Sequence, residues 1–313
     1  MVDVVVGFDA GGTSTQCALM TLDGKVLAHG SAGPGNYQIV RADGVRRALQ
    51  QSLAAARAAA GHEVRVRAAF LGIAGLTTAQ EEQTLAEMCR ALDIAPKLQI
   101  MGDMVPALAA GTRGEPGIVV IGGTGSICWG LDAAGNTARA GGWGYLFGDE
   151  GSGFYIGRRA LAAAFQAYDG RGPATSLKRR VLEALDCADL PAVVTYMYGL
   201  EQPRTAIAAL APVVFTAAAE GDEVANEILA GAARELAAAV LAVYRKLQFD
   251  SDLTVVASGG LFRQSDELYE RLRRELAPLL PQARCVLPDV EPVVGACYLA
   301  LRLLEEGRDV ETS

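Results

Sequence analysis

The hydrophobic pattern of the chain predicts buried strands that alternate with amphipathic helices. Apolar runs predict strands at 3–9 and 253–260, and alternation of polar and apolar residues predicts another at 14–21. Apolar residues spaced four apart predict helices at 43–60 and 223–247. Strands that alternate with helices in this way indicate an α/β fold.

The strand-and-turn pattern occurs twice. VVVGFDAGGTS near the start and IVVIGGTGS in the middle are both apolar runs closed by Gly-Gly-Thr, at 11–13 and 122–124. The repeat favours two related α/β halves, although two ordinary glycine turns could coincide. Residues 151–247 are predicted to be mostly helical, and the stripe of apolar residues in 223–247 indicates a buried face.

Composition and charge narrow the classes of protein. The chain has 313 residues, 51% of them apolar, and a net charge of −8. These values indicate a globular protein with two domains, and the absence of a basic block disfavours nucleic acid or an anionic membrane as partner. The start reads as a strand rather than a signal peptide, and no stretch is apolar enough to span a membrane. The six cysteines lack a C-x-x-C spacing, so we expect reduced core residues in a cytoplasmic protein.

Several common catalytic signatures are absent from the sequence. It contains neither a P-loop nor a G-x-G-x-x-G turn that follows a strand and opens a helix. The chain has two histidines, His29 and His62, which makes a Ser-His-Asp triad or a histidine-rich metal site a poor interpretation.

Glycine turns at the strand ends are the best candidates for a phosphate site. In DAGGTST, Gly11 and Gly12 allow a tight bend whose N–H groups can form an anion nest, and Thr13 and Thr15 add hydroxyl donors. Asp9 precedes the turn, where its carboxylate could hold Mg²⁺ directly or through water. One such turn is usually an ordinary hairpin, so the interpretation depends on the set of turns. The other members of the set are Gly123, Thr124, Gly125 and Ser126 in GGTGS, and Gly259 and Gly260 in SGG, where adenine could lie on the backbone.

One loop combines glycine and aromatic residues in an unusual way. The segment GGWGYLFGDEGSG, residues 141–153, is too rich in glycine for a helix or strand interior and too aromatic for a disordered linker. We therefore expect an ordered functional loop.

Together these motifs resemble those of the sugar-kinase/heat-shock-chaperone/actin ATPase superfamily. GFDAGGTST, the Gly-Asp pair at 102–103, GGTGS, the 141–153 loop and ASGGLF carry the resemblance. Within the superfamily the chain most resembles the N-acetylglucosamine kinases and their BadF/BadG-type ATPase relatives, over nearly its whole length and least at 165–200. The resemblance implies two RNase-H-like domains with ATP and sugar in the cleft between them. The first domain would be 1–115 with the C-terminal helix 295–313, and 116–294 would be a larger ATPase domain with a helical insertion.

The resemblance also implies roles for individual residues. It makes Asp103 the general base, whereas the residues alone favour a helix N-cap; the two roles can coexist. It assigns ATP contacts to Thr13, Thr124 and Ala208. The sugar contacts that it implies, beside Asp103, are Asn36, Ser126, Gly142, Trp143, Gly144 and Asp149.

The roles of Ile127, Trp143 and Glu150 are less directly implied. Ile127 stands where the family often has a polar side chain, so no contact is carried over to it. The ring of Trp143 is expected to pack as a structural anchor of the loop, with the neighbouring backbone touching sugar; a wall of the sugar pocket is the alternative role for this ring. Glu150 receives no role.

The implied function is ATP- and Mg²⁺-dependent phosphorylation of the 6-hydroxyl of N-acetylglucosamine, in a homodimer. Glucosamine is the alternative substrate. Two other classes are less favoured: an ATPase that activates 2-hydroxyacyl-CoA dehydratases through an iron–sulfur cluster, and a non-catalytic nucleotide-switched binding protein. The cysteine positions do not match the first of these, and no filament-forming or peptide-clamping segment indicates the second.

Overall fold

The computed structural model describes residues 1–76, 78–249 and 252–305. Contacts divide the chain into two compact units: unit 1, which is Met1–Glu115 with the described part of Pro288–Ser313, and unit 2, which is Pro116–Leu287. The predicted first domain includes residues 306–313, which lie outside the described residues.

Each unit contains one five-stranded sheet. The strands are β1 (Val2–Ala10), β2 (Thr15–Thr21), β3 (Val26–Ala32), β4 (Val64–Ile73), β5 (Lys97–Gly102), β6 (Gly117–Gly122), β7 (Ser126–Leu131), β8 (Thr137–Gly141), β9 (Leu253–Ser258) and β10 (Ala283–Val286). The helices are α1 (Tyr37–Ala60), α2 (Ala79–Ala91), α3 (Met104–Thr112), α4 (Gly153–Tyr168), α5 (Leu177–Leu185), α6 (Leu190–Tyr198), α7 (Pro203–Ala208), α8 (Ala211–Ala219), α9 (Glu223–Tyr244), α10 (Gly260–Gln264), α11 (Asp266–Leu276) and α12 (Pro292–Glu305).

The two sheets have the same topology, which confirms the repeat that the sequence suggested. The strand order is β3-β2-β1-β4-β5 in unit 1 and β8-β7-β6-β9-β10 in unit 2. In each, the first three strands form an antiparallel meander and the last two run parallel to the central strand. The α/β prediction is therefore confirmed, with one mixed sheet in each half.

Unit 1 has its core between the sheet, α1, α2 and the C-terminal helix α12. The central strand β1 reads VVVGF over its buried stretch and takes neighbours on both sides, as such an apolar run predicts. Helix α12 crosses β1 very closely: a Cβ added at Gly7 would lie 2.4 Å from the Val293 carbonyl oxygen and 2.6 Å from the Cys297 nitrogen. Glycine at position 7 is what lets the C-terminal helix dock on the first strand.

We expect Gly7→Ala to destabilise unit 1 by about 1–3 kcal/mol, because the new methyl group overpacks a contact made by backbone atoms. The free energy of unfolding measured in urea tests this. Gly33→Ala is the matched control, since a Cβ added there meets nothing within 4 Å. Equal stability of the two variants would contradict the close contact of α12 with β1.

Unit 2 has its core around α9. The predicted stripe on this helix is buried at Ile228, Ala232, Leu236 and Val240, and Tyr244 packs against the same cluster while partly exposed. Six helices, α4 to α9, stand between β8 and β9, as the predicted helical stretch requires. Helices α4 to α6 also form a small apolar cluster of their own around Val181.

Two further observations concern the whole of the described chain. None of the helices in residues 1–76, 78–249 and 252–305 is long and apolar enough to cross a membrane. All six cysteines are unpaired; Cys17, Cys89, Cys128 and Cys297 are buried as predicted, whereas Cys187 and Cys285 are half-buried. Burial raises the pKa of the Cys89 and Cys297 thiols to about 12, which disfavours the reactive thiolate.

Candidate functional site

The first candidate phosphate turn in unit 1 joins β1 to β2. It is closed by the Gly11 N–H, which donates to the Ser14 carbonyl oxygen at 2.9 Å. Gly12 and Thr13 are exposed on the turn, where a ligand could reach them. Thr15 differs from the prediction in this respect, because it lies in β2 with a fully buried hydroxyl that has no hydrogen-bond partner among the described residues. Thr15 is therefore not presented to solvent.

The carboxyl ends of the parallel strands bring the other unit 1 candidates to the same edge of the sheet. Ala10 of β1 lies opposite Ile73 of β4, which in turn lies opposite Gly102 of β5, so the residues that follow these strands are neighbours. Asp9, half-buried, is the penultimate residue of β1, and Asp103 directly follows β5.

Asn36 is tied to this edge by backbone hydrogen bonds. The Gly11 carbonyl oxygen accepts the N–H groups of Gly35 and Asn36 at 2.9 and 3.0 Å. The Asn36 side-chain oxygen caps α1 by accepting the Gln38 N–H at 2.9 Å, and its Nδ2 donates to none of the described residues. The amide N–H₂ of Asn36 is thus available to an acceptor atom of a substrate, although the residue is also an ordinary helix cap.

Asp103 occupies the N-cap position of α3 without a side-chain capping hydrogen bond. Burial raises the pKa of its carboxyl above the usual value, whereas the backbone N–H groups of Asp103 and Met104 lower it. A partly buried carboxylate that does not cap its helix can act on a ligand. Asp103 thus lies at the N-cap position that the residues alone favoured, but its side chain does not cap the helix.

The second candidate phosphate turn lies in unit 2 between β6 and β7. The Gly123 N–H donates to the Gly125 carbonyl oxygen at 2.9 Å, and the side chain of Thr124 is exposed. The carbonyl oxygens of Gly123 and Thr124 accept the N–H groups of Gly153 and Phe154, at 2.8 and 3.2 Å, from the first turn of α4. The GGTGS turn is thus fixed by the residues that end the 141–153 loop.

A pocket of about 260 Å³ in unit 2 is lined by four of the six nucleotide residues that were predicted in this unit. Gly123, Thr124, Ala208 and Gly260 line it, although they come from three distant segments of the sequence. Its other lining residues, which sequence reasoning did not identify, are Gly153, Thr205, Ala209, Pro212, Leu261 and Gln264. An apolar wall beside a glycine turn with a free threonine hydroxyl suits a nucleotide.

Gly259 directly precedes the pocket residue Gly260 and packs against Gly122. β6 and β9 are parallel neighbours with Ile121 opposite Ser258, so the turns that follow them touch. Gly259 has φ of 103°, and a Cβ added there would lie 2.4 Å from the Gly122 carbonyl oxygen. The SGG turn thus packs directly against the start of the GGTGS turn.

The aromatic anchoring predicted for the 141–153 loop is wrong in part. Trp143 is 65% exposed and Phe147 is 82% exposed, so neither ring packs in a core. The Trp143 ring instead lies 4.1 Å from the Arg139 guanidinium, a cation–π contact. Among the described residues, Tyr145 alone anchors the loop by a ring–ring contact, edge-on to Phe154 with ring centroids 5.2 Å apart.

Hydrogen bonds to the GGTGS turn hold the rest of the loop. The Gly142 N–H donates to the Ser126 carbonyl oxygen at 3.1 Å, and the Ser126 hydroxyl donates to the Glu150 carbonyl oxygen at 2.7 Å. A Cβ added at Gly142 would meet the Ile127 side chain at 2.7 Å, which gives this apolar residue a packing role. The Gly144 carbonyl oxygen accepts the Phe147 N–H at 3.2 Å.

Asp149, which was predicted to contact sugar, is buried. It is 3% exposed and has φ of 65°. Its Oδ1 accepts the Ser126 N–H at 3.2 Å, and its Oδ2 accepts a hydrogen bond from Arg204 Nη2 at 2.8 Å. Both carboxylate oxygens are therefore engaged within the protein. Arg204 was missed by sequence reasoning because 55 positions separate the pair.

Among the described residues, no three His, Cys, Asp or Glu side chains come together in a group that could hold a metal ion.

Comparison with known proteins identifies the family. The model of the BadF/BadG/BcrA/BcrD ATPase family matches residues 6–300. The chain belongs to this ATPase family. The N-acetylmuramic acid/N-acetylglucosamine kinase of Clostridium acetobutylicum is 34% identical over 95% of the chain and 97% of its own length. The N-acetyl-D-glucosamine kinase of Dictyostelium discoideum is 30% identical over 96% and 98%.

A solved structure of a similar protein supports the same family assignment. A protein from Chromobacterium violaceum, whose proposed activity is N-acetylglucosamine kinase, superposes with a TM-score of 0.73 and 30% identity over 96% of this chain and 99% of its own. The two mixed sheets of the BadF/BadG-type chain are therefore those of two RNase-H-like domains, as the sequence motifs implied.

Proposed function

We propose that this protein is an ATP-dependent kinase that phosphorylates the 6-hydroxyl of N-acetylglucosamine. The observation that carries the proposal is the unit 2 pocket, in which Gly123, Thr124, Ala208 and Gly260 converge beside the loop of residues 141–153. Two relatives with this activity in their names, at 30–34% identity over nearly the full chain, support the choice of sugar.

Phosphoryl transfer depends mainly on positioning and on neutralising charge. We assign the adenine side of ATP to the wall at Ala208 and Gly260, and the phosphates to the backbone N–H groups and hydroxyls of the two Gly-Gly-Thr turns. The exposed hydroxyls of Thr13 and Thr124 fit this role. Thr15, with its buried side chain, fits a role in supporting the unit 1 turn.

Mg²⁺ fits the oxygen donors at the end of β1. Magnesium in kinases is usually held by one or two carboxylates, by substrate phosphates and by water, so a single carboxylate is a sufficient protein contribution. Asp9, beside the Gly11–Ser14 turn, would hold the ion directly or through water, and the ion would offset the negative charge of the phosphates.

We assign the general base to Asp103. Its carboxylate would accept the proton of the sugar 6-hydroxyl as that oxygen attacks the γ-phosphorus of ATP, which leaves ADP and the sugar 6-phosphate. Asn36, whose side-chain N–H₂ donates to none of the described residues, is assigned to another sugar oxygen.

In unit 2 we assign sugar contacts to the exposed face of the 141–153 loop and to Ser126. Gly142 and Trp143 are exposed, and Gly144 is half-buried between them and Tyr145. Asp149 would touch sugar only after its carboxylate left Arg204 or the Ser126 N–H, so we assign it first to holding the loop.

A substrate panel tests the proposal. With ATP and Mg²⁺, we expect kcat/KM for N-acetylglucosamine to exceed that for glucosamine by about tenfold or more, since one small substituent is worth about that much in a fitted pocket. N-acetylmuramic acid belongs in the panel because one relative's name includes it. ADP release without sugar is the control. Turnover on no hexosamine above that background would contradict the proposal, and preference for glucosamine would establish the alternative substrate.

A further inference from the structure

Arg204 joins three parts of unit 2 that are distant in sequence. It is the second residue of α7, the helix that supplies Ala208 to the pocket. Its Nη2 donates to Asp149 of the 141–153 loop at 2.8 Å. The same nitrogen would be 2.5 Å from a Cβ added at Gly125, which places it directly against the backbone of the GGTGS turn.

The pairing with Asp149 is the main contact that fixes the guanidinium. Arg204 Nε is buried without a hydrogen-bond partner among the described residues, and the Tyr145 ring lies 5.7 Å from the guanidinium carbon. The side chain as a whole is 37% exposed, whereas that of Asp149 is 3% exposed. Arginine therefore compensates a carboxylate that is almost entirely removed from water.

Asp149 also contacts the GGTGS turn. Its other oxygen accepts the N–H of Ser126, the residue that closes GGTGS, at 3.2 Å. A Cβ at Gly125 would also come within 2.6 Å of Asp149 Oδ1, so both members of the pair lie on the same stretch of backbone. A shift of either side chain must therefore be accommodated by the turn that carries Gly123 and Thr124.

We propose that Arg204 is a positioning residue of the nucleotide site, which acts through Asp149 to hold the GGTGS turn against α7 and the 141–153 loop. The proposal rests on the proposed kinase function. Without Arg204, the buried carboxylate retains one N–H donor and moves toward water, and the turn loses the support that aligns its N–H groups with the phosphates.

Nucleotide binding in the absence of sugar tests this role, because a direct contact of Asp149 with sugar cannot affect it. We expect Arg204→Met to raise the Kd for the non-hydrolysable ATP analogue AMP-PNP, measured by calorimetry with Mg²⁺, about tenfold. Asp149→Asn should raise it by a similar factor, and the double variant by no more than the larger single effect, since the two residues act as one unit. Arg204→Lys, which keeps the charge, should recover a substantial part of the affinity.

The matched control is Arg179→Met, which removes an exposed ion pair with Glu183 on α5. It should leave the Kd unchanged. An unchanged Kd in Arg204→Met, or multiplicative effects in the double variant, would overturn the proposal, and a lower melting temperature alone would show a merely structural role. Wild-type protein that binds AMP-PNP but phosphorylates no hexosamine would contradict the kinase function while leaving this inference open to the same test. Wild-type protein that binds no AMP-PNP would contradict both.

Discussion

Asp103→Asn is expected to lower kcat by about 10²–10⁴-fold, the usual contribution of a positioned general base. The amide keeps the size of the carboxylate but cannot take the proton of the sugar hydroxyl. KM for ATP should change little, because the substitution removes the group assigned to the sugar hydroxyl and none of the groups assigned to ATP. Steady-state kinetics with N-acetylglucosamine measures both parameters.

The pH profile of the wild-type enzyme gives a second measurement of the same role. Burial raises the pKa of the Asp103 carboxyl, and the base must be deprotonated to act. We therefore expect kcat/KM for N-acetylglucosamine, which reports the free enzyme, to fall on acidification through a pKa above that of an ordinary aspartate. A variant that lacks the carboxyl should lose this acidic limb.

The same shift predicts an opposite effect on stability. Where the folded-state pKa exceeds the unfolded one, the folded state binds more protons between the two values, so stability falls as pH rises through that window. Above both values the buried charge destabilises the protein, and Asp103→Asn should then be more stable than the wild type. The gain should disappear below the unfolded-state pKa, where the carboxyl is protonated in both states.

Asp93→Asn is the control for the kinetic measurements, kcat and the pH profile. Asp93 is an exposed residue of unit 1 in the turn before β5, with φ of 49°, a conformation that asparagine also tolerates. It should leave kcat and the pH profile unchanged. A rate of Asp103→Asn near that of the wild type would refute the assignment of the base.

The parts of the fold that follow from local pattern could be predicted from sequence. The apolar run before Gly11 and its counterpart before Gly123 predicted two central strands, and the identical order of the two sheets follows from that repeat. Helix α9 was predicted almost to its ends because its buried face repeats every four residues. Helix α1 begins six residues earlier than predicted, at Tyr37, because Asn36 caps a first turn that is separated from the rest by the non-helical Arg41.

The parts of the candidate site that depend on tertiary contacts could not be predicted. Asp149 appeared available for sugar because nothing near it in sequence indicates Arg204. In the sequence the Thr15 hydroxyl appeared equivalent to that of Thr13, but Thr15 lies in β2 with its side chain in the interior. Trp143 was expected to be an anchor, but among the described residues its only ring partner is the cation of Arg139. For Asp149, a residue 55 positions away determines which contacts the carboxylate makes.

Gly259→Ala is expected to damage the nucleotide site severely. The new Cβ would lie 2.4 Å from the Gly122 carbonyl oxygen, and φ of 103° is unfavourable for alanine. Because Gly122 begins the GGTGS turn, the clash must displace either that turn or α10. A misplacement of about 1 Å in phosphate-binding groups costs about 10²-fold, so we expect a loss of that order in kcat/KM for ATP. Overpacking should also lower the free energy of unfolding by about 1–3 kcal/mol.

Two further glycine variants separate backbone strain from the clash with Gly122. Gly221→Ala introduces the same backbone strain, with φ of 90°, in a turn where an added Cβ meets nothing within 4 Å. It should lower stability and leave kcat/KM for ATP intact, because the turn between α8 and α9 does not line the pocket. Gly260→Ala adds a methyl group to the pocket without a clash, so its effect should be on ATP binding alone. If Gly259→Ala behaved like Gly221→Ala, the contact between the two glycine turns would not be what holds the phosphate site in place.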